Sequence, residues 1–154
     1  MLEIKRERVF GRTYQILSVG KPVAQWSGHA WKSGGHVELA GRNFELRSSH
    51  WGRSFEMHEG TSGGPIRAEA RRSGRRWNII DAEGEYELMR PSAFRGKRQL
   101  VRDGSVVGEF RPGRFGSGLT AEFTGVPLPV QVFAGLVVIS LQQRQATAAA
   151  ASSG

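Results

Sequence analysis

The chain has 154 residues, the size of one ordinary domain with a single sizeable core. It contains no cysteine, which excludes disulfides and thiolate metal sites. The formal net charge of +8 favours anionic partners, either phospholipid headgroups or nucleic acid, without choosing between them.

The first residues, MLEIKRERVF, are charged where a secretory signal needs an apolar core, so we expect a cytoplasmic protein. A short pattern then recurs three times. VFGRTYQI (residues 9–16) and HWGRSFEM (50–57) share the order aromatic, Gly, Arg, hydroxyl residue, aromatic, polar, apolar, and a degraded third copy, AFRGKRQL, occupies 93–100. Because the first two copies open stretches of about forty residues with matched order, we interpret the pattern as a genuine internal repeat.

Short segments that alternate apolar and polar residues follow each copy, and glycine-containing turns separate them. This rhythm is typical of antiparallel β-structure with one face in water. We predict four strands in each of the first two units and three or four in the last. The predicted core-facing aromatic residues are Tyr14, Phe44, Phe55, Trp77 and Tyr86.

The last part of the chain breaks this rhythm, since no residue from Phe123 to Gln143 is charged. The stretch from about Val130 onward is apolar on every side, which indicates a helix buried all round or in lipid. Such a helix is about 21 Å long, short of the roughly 30 Å hydrocarbon core of a bilayer. We predict a buried helix at about 129–143 and a flexible Ala/Ser tail at 146–154; a membrane span over 123–143 is the alternative.

A helix that is apolar on all faces has to be enclosed, and the amphipathic strands that precede it supply the material. The fold that we predict is mainly β: a closed antiparallel β-barrel of about 11–12 short strands, built from three quasi-repeats around a hydrophobic C-terminal α-helix. The barrel domain spans residues 1–145. Since a barrel closes on itself and removes exposed strand edges, we expect a monomer.

The repeated strands and the terminal segment LPVQVFAGLVVISL resemble the tubby C-terminal-like superfamily, which includes tubby domains, phospholipid scramblases and LURP-one-related proteins. The resemblance covers residues 2–144 and looks closest to the compact LURP-one-related and bacterial versions. It implies a barrel around a helix and, through the tubby domains, binding of phosphoinositide headgroups. The tubby lipid-binding residues do not align with this sequence residue by residue. No acylation cysteine or calcium-loop pattern of scramblases is visible either.

The usual signatures of catalysis and metal binding are missing from the sequence. The four histidines lack metal-ligand spacing, and no Gly-x-Ser-x-Gly motif occurs. The glycine-rich segment 113–118 lies between predicted strands rather than opening a helix, which does not suit a phosphate loop. Glu83, Glu85 and Glu87 alternate on one strand face, which indicates a solvated face. We therefore predict no catalytic residue, metal or cofactor.

Clusters of basic residues are the better candidates, because guanidinium groups suit phosphate oxygens. The densest cluster lies on a hairpin tip at residues 71–76, where Ser-Gly supplies the turn. The alternative interpretation is an exposed tip that keeps the protein soluble or pairs with Glu69, Asp81 and Glu83. The predicted anion-binding residues are Arg71, Arg72, Arg75, Arg76, Arg95, Lys97 and Arg98.

These features predict a non-enzymatic module that binds anionic phospholipid headgroups, of the phosphoinositide type, peripherally at the inner membrane surface. A nucleic-acid-binding domain and a protein-interaction scaffold are the alternatives. Nucleic acid is disfavoured because most aromatic residues fall at core-facing positions rather than among the basic residues. Trp26, Trp31 and Trp51 stand near strand ends, which suits either a membrane interface or packing at the barrel ends.

Overall fold

A computed structural model describes residues 1–7, 13–27, 35–39, 41–49, 53–60, 64–90, 97–113 and 118–153, with side chains in the C-terminal helix described as far as Arg144. Twelve antiparallel strands form one sheet that curls into a nearly closed barrel, which confirms the predicted fold class. The strands are β1 Leu2–Arg6, β2 Thr13–Ser18, β3 Lys21–Ser27, β4 Gly35–Leu39, β5 Arg42–Ser49, β6 Ser54–Glu59, β7 Ile66–Ser73, β8 Arg76–Asp81, β9 Gly84–Met89, β10 Arg98–Arg102, β11 Ser105–Pro112 and β12 Gly118–Phe123.

The sheet is an up-and-down meander with one long-range closure. From β4 to β12 each strand pairs with its neighbour in the chain, as do β1, β2 and β3. The two runs are joined by β1 against β12, where Leu2 lies opposite Ala121 and Ile4 opposite Leu119. Strands β3 and β4 lie side by side but share no hydrogen-bonded ladder in the described residues, so the barrel has a seam there.

Helix α1 spans Leu128–Ser153, and the barrel encloses its apolar part, as predicted. Side chains from Val132 to Leu141 are buried against the inward-facing residues of the strands, such as Ile16 and Leu100, which are fully shielded from water. Each large apolar side chain buried in this way contributes roughly 1.5–3 kcal/mol to folding. The backbone stays helical to Ser153, past the predicted end near 143, because this Ala-rich stretch has high helix propensity. The flexibility of residues 146–154 stays a prediction.

The alternative membrane span, 123–143, is not one continuous helix: Phe123 ends β12, residues 124–127 form a connection, and 128–143 belong to α1. The apolar part of the helix faces the inside of the barrel on all sides. Within the described ranges, no helix combines the length and the apolar character needed to cross a membrane.

The three sequence copies occupy equivalent places in the barrel. They lead into β2, β6 and β10, which are four strands apart along the sheet. In each of these strands the pairing with the following strand shifts register directly after the last residue of the copy, namely Ile16, Met57 and Leu100. Such a bulge bends the strand and increases its twist, which helps a sheet to curl. The repeat therefore specifies three equivalent bends of one barrel wall.

The hairpin turns after β2 and β10 are also equivalent, yet one of them carries an unsuitable residue. The turn residues Asp103 and Gly104 have φ angles of 50° and 78°, and Val19 and Gly20 have 51° and 77°. A left-handed conformation is uncommon for any side chain and a genuine outlier for a β-branched one. Val19 is also 77 % exposed, so no packing offsets the strain.

Replacing Val19 by Asn is expected to raise the free energy of unfolding by about 1 kcal/mol, because Asn-Gly is a favoured pair in this type of turn. Urea unfolding followed by tryptophan fluorescence measures the change. Asp103→Asn is the matched control and should change stability by less than about 0.5 kcal/mol, since Asp already tolerates the conformation. An equal gain at both turns would contradict the strain at Val19.

Candidate anion-binding site

The alternation of strand direction brings most described basic residues to one end of the barrel. This is the end at which α1 leaves the barrel: the Gln143 side chain donates a hydrogen bond to the Tyr14 hydroxyl at 2.7 Å, near the start of β2. We call it the basic end. The described basic residues on or near it are Lys5, Arg6, Arg47, Arg53, Arg71, Arg72, Arg75, Arg76, Arg90, Lys97, Arg98, Arg111 and Arg144.

At the opposite end, positive charge is sparse and mostly matched by carboxylates. Arg42 lies 2.6 Å from Glu59, and Arg67 lies 2.7 Å from the buried Asp81. Exposed acidic residues, among them Glu83, stand there as well. The molecule is therefore electrically bipolar, and an anionic surface attracts only one of its ends.

The predicted cluster at 71–76 spans the ends of β7 and β8 and the turn between them, but its four arginines do not act alike. Arg71 lies 2.6 Å from Glu69, and Arg76 lies 3.3 Å from Glu87. Arg75 is exposed in the turn. These three form the outward arginines. Of the predicted neutralising partners, only Glu69 pairs within the cluster.

Arg72 belongs to the other face of the sheet. It lies opposite Trp77 in the register and continues the inward-facing row of Ala68 and Ala70, both fully buried. Its side chain thus stands at the rim of the barrel interior rather than on the outer wall. Arg72 is nevertheless exposed, and its Nε donates a hydrogen bond to the Gly74 carbonyl in the turn at 3.1 Å, so it remains part of the hairpin tip that the sequence predicted.

Arg98 also faces inward, with only 8 % of the residue exposed, on the same side of β10 as Leu100. It lies opposite Phe110 of β11. Its neighbour Lys97 is exposed, and Arg95, which the sequence also predicted, lies outside the described residues. The two sequence clusters therefore meet at one end of the barrel, but their members divide between its outer wall and its mouth.

On two other strands the series of inward-facing residues also ends with an arginine. Arg6 follows Leu2 and Ile4 on β1, and Arg90 stands two residues beyond the buried Leu88 on β9. Sequence analysis missed these positions. Counting one more alternate residue beyond the last inward-facing apolar residue of each strand would have found them. We define the mouth arginines as the arginines that end the inward rows together with the one at the helix exit: Arg6, Arg72, Arg90, Arg98 and Arg144.

Two pairs of the mouth arginines repel each other, Arg90 with Arg98 and Arg72 with Arg144. Of these four residues only Arg98 is buried, and the other three are exposed. Burial lowers the pKa of the Arg98 guanidinium to about 10, and the positive charge of Arg90 lowers it as well. Burial likewise lowers the pKa of Arg144, with a further contribution from Arg72. Among the described residues, no carboxylate lies within ion-pair distance of Arg72, Arg90 or Arg98, and no undescribed position is Asp or Glu. These charges therefore lack side-chain counterions.

Arg98 differs in residue type from the residues at the equivalent position of the other two repeat copies. The buried aromatic residues Tyr14 and Phe55 occupy the equivalent position in the first two copies, and a cation stands over each ring: Arg6 at 5.7 Å and Arg144 at 4.9 Å from the centroid. In the third copy the residue itself is the cation. One end of the barrel thus has three equivalent rim positions, of which two hold cation–π pairs and one holds a buried arginine.

The histidine and acidic side chains in the described part of the chain offer no comparable candidate site. His58 is nearly buried and contacts the Gly64 carbonyl and the Glu56 carboxylate, each at 2.9 Å, which accounts for both ring nitrogens. Within the described ranges, no group of three or more acidic or histidine side chains is arranged to hold a metal ion. His29, His50, Trp31 and Trp51 lie outside those ranges.

A surface cleft of about 520 Å³ lies at the seam between β3 and β4. It contains no lysine or arginine, so it does not suit an anionic partner, unlike the basic end. Its lining residues are Val23, Ala24, Gln25, His36, Glu38, Gly41 and Asn43.

Comparison with known proteins found no matching family model, no matching curated protein and no matching solved structure. The resemblance to tubby-like barrels therefore rests on the sequence pattern and the barrel of this chain alone.

The lowered pKa of Arg98 predicts that removing its charge stabilises the folded protein. Because the folded-state pKa lies below that of an unfolded arginine, the charge destabilises the folded protein at every pH below about 10, and stability rises as the pH passes above that value. Arg98→Met keeps the apolar stem and removes the charge. It is expected to raise the free energy of unfolding at neutral pH by on the order of 1–3 kcal/mol, measured by urea unfolding.

Arg67→Met is the matched control. Arg67 is also mostly shielded, but it pairs with Asp81, so its removal leaves a buried carboxylate without its partner. We expect a loss of about 3–5 kcal/mol. Destabilisation of similar size in both variants would mean that Arg98 has a structural partner and is not an uncompensated charge.

Proposed function

We propose that this protein is a non-enzymatic module that binds anionic phospholipid surfaces through the basic end of its barrel. The observation that carries the proposal is the segregation of charge: thirteen described basic residues lie at or near the basic end and four at the opposite end, and five of the thirteen pair with carboxylates. A net charge of +8 spread evenly would have no preferred orientation.

Exposed cations supply the long-range part of this attraction. Arg75 and Lys97 are exposed, and more than half of each of the Arg71 and Arg76 side chains is accessible. Near an anionic leaflet each such residue contributes about 1 kcal/mol, and the attraction falls off within a Debye length of about 8 Å at physiological salt. A few of them acting together hold the barrel end-on at the surface.

We further propose membership of the tubby C-terminal-like superfamily and, with it, a preference for phosphoinositide-type headgroups at the inner membrane surface. The barrel of twelve antiparallel strands around a C-terminal helix supports this membership. Binding of single-stranded nucleic acid would need exposed rings for stacking. The described tryptophans and tyrosines, Trp26, Trp77, Tyr14 and Tyr86, are all buried, which favours lipid over nucleic acid.

Liposome flotation of the whole chain tests the proposal, with vesicles of phosphatidylcholine alone, with added phosphatidylserine and with added phosphatidylinositol bisphosphate. We expect flotation only with anionic vesicles, and its loss at high salt. Arg75→Ala combined with Arg76→Ala should reduce the affinity for vesicles about tenfold or more, since two surface cations are removed. Absence of flotation in all conditions would sink the proposal and make single-stranded nucleic acid the next partner to test.

The matched control removes two charges from the opposite end, Lys21→Ala combined with Arg42→Ala. Both residues are exposed, and the net charge changes by the same amount. This control should float as the unmodified protein does, within about threefold in affinity. An equal loss in the two double variants would mean that only overall charge matters, and orientation by the basic end would be refuted.

A further inference from the structure

We infer that the mouth of the barrel at the basic end is a binding site for a ligand that carries several phosphate groups, and that Arg72, Arg90, Arg98 and Arg144 hold it. The inference deepens the proposed function, on which its lipid form rests. A soluble oligophosphate and a multiply phosphorylated lipid headgroup offer the same chemistry. The outward arginines have no part in this site.

The first argument is the shielding of Arg98. Only 8 % of the Arg98 residue is exposed, and no hydrogen bond or ion pair of its guanidinium group, which has five N–H donors, is found in the described part of the chain. Buried charges in proteins are normally paired, because an unpaired one is strongly disfavoured. An anion at the mouth supplies the missing partner.

The second argument is the arrangement of like charges in two pairs. Arg98 is the first residue of β10, and Arg90 directly follows β9. Because Met89 lies opposite Gln99, Arg90 stands beside Arg98 one position beyond the paired residues. Arg72 on β7 and Arg144 at the helix exit form the other pair. Like charges directly opposite each other on neighbouring strands, as Arg90 and Arg98 are, destabilise the fold, and an anion between them relieves the repulsion.

The spacing of the pairs sets the number of phosphates. Strand β7 is three strand spacings from β10, about 14 Å along the sheet. A single phosphate engages one pair at most, whereas a ligand with two or more separated phosphates engages both. Arginine forks suit such contacts because they bind phosphate oxygens bidentately.

The outer wall lacks a buried arginine such as Arg98. Arg71 and Arg76 have carboxylate neighbours in Glu69 and Glu87, and they remain largely in water. They therefore gain less from a bound anion than the shielded Arg98 does. The two faces of the sheet thus have different roles. The outer wall attracts anions in general, and the mouth binds the multiply phosphorylated ones selectively.

Isothermal titration calorimetry with the whole chain tests the site, with inorganic phosphate, tripolyphosphate and inositol hexakisphosphate as probes at physiological salt. The two oligophosphates should bind, and inorganic phosphate should bind at least about a hundredfold more weakly. Arg98→Met and, separately, Arg144→Met should each weaken oligophosphate binding about ten- to a hundredfold, the effect of losing a charge-assisted contact. Arg98→Met is expected to be more stable than the unmodified protein, so its loss of binding is not a loss of folding.

Arg75→Met is the comparison on the outer wall: it should weaken oligophosphate binding by at most about fivefold, the share of one exposed surface cation, and so less than Arg98→Met does. Equal weakening by Arg75→Met and Arg98→Met would overturn the site, because it would show binding to a general basic surface. Similar affinity for inorganic phosphate and tripolyphosphate would overturn it as well, since the two pairs would not act together.

Flotation of Arg98→Met distinguishes a lipid headgroup from a soluble oligophosphate as the ligand. It also tests the mouth site separately from the proposed lipid function. Loss of the preference for phosphatidylinositol bisphosphate over phosphatidylserine, with phosphatidylserine flotation retained, identifies a lipid headgroup as the ligand. Oligophosphate binding without any flotation upholds the site for a soluble ligand and refutes the lipid function. Flotation without oligophosphate binding upholds the lipid function and refutes the site.

Discussion

A helix that is apolar on every side must be kept out of water, and the rest of this structure follows from that constraint. From Val132 to Leu141 each side chain of α1 is buried, and only a wall on all sides achieves this. Twelve short strands, each apolar on one face, form a ring wide enough to hold a helix. The three bulges that bend this wall belong to the internal repeat, which accounts for a small protein carrying the same pattern three times.

The same enclosure determines where charge gathers. Inward-facing rows of the strands remain apolar for as long as they face the helix, and several of them end on an arginine at the level where the helix emerges. Arg72 and Arg90 are such row ends, with apolar neighbours two residues away. A long side chain suits this border, because its stem lies along apolar surface while its head reaches toward water. Arg98 is the exception, since only 8 % of the whole residue is exposed.

The fold was largely predictable from sequence because its signals are local. Period-two alternation, glycine turns and an uncharged C-terminal run each show within a short window, and together they require a barrel around a helix. The mouth was not predictable in the same way. Arg71 and Arg72 are adjacent in sequence but lie on opposite faces of the sheet, and only the pairing of Arg72 with Trp77 shows which of them points inward. Arg144 and Arg72 meet only through the packed helix.

The contact between β1 and β12 ties the two ends of the barrel wall together, and this has a consequence for how the molecule is made. While the chain grows on the ribosome, Leu2 and Ile4 are made long before their pairing partners on β12, which are among the last residues of the wall to be synthesised. The helix that fills the interior comes later still. Neither the closed wall nor its filling exists until β12 and the apolar part of α1 have left the ribosome, so folding depends on contacts of great sequence separation. Until that moment the inward faces of the strands have no helix to cover them, and the growing chain exposes apolar surface.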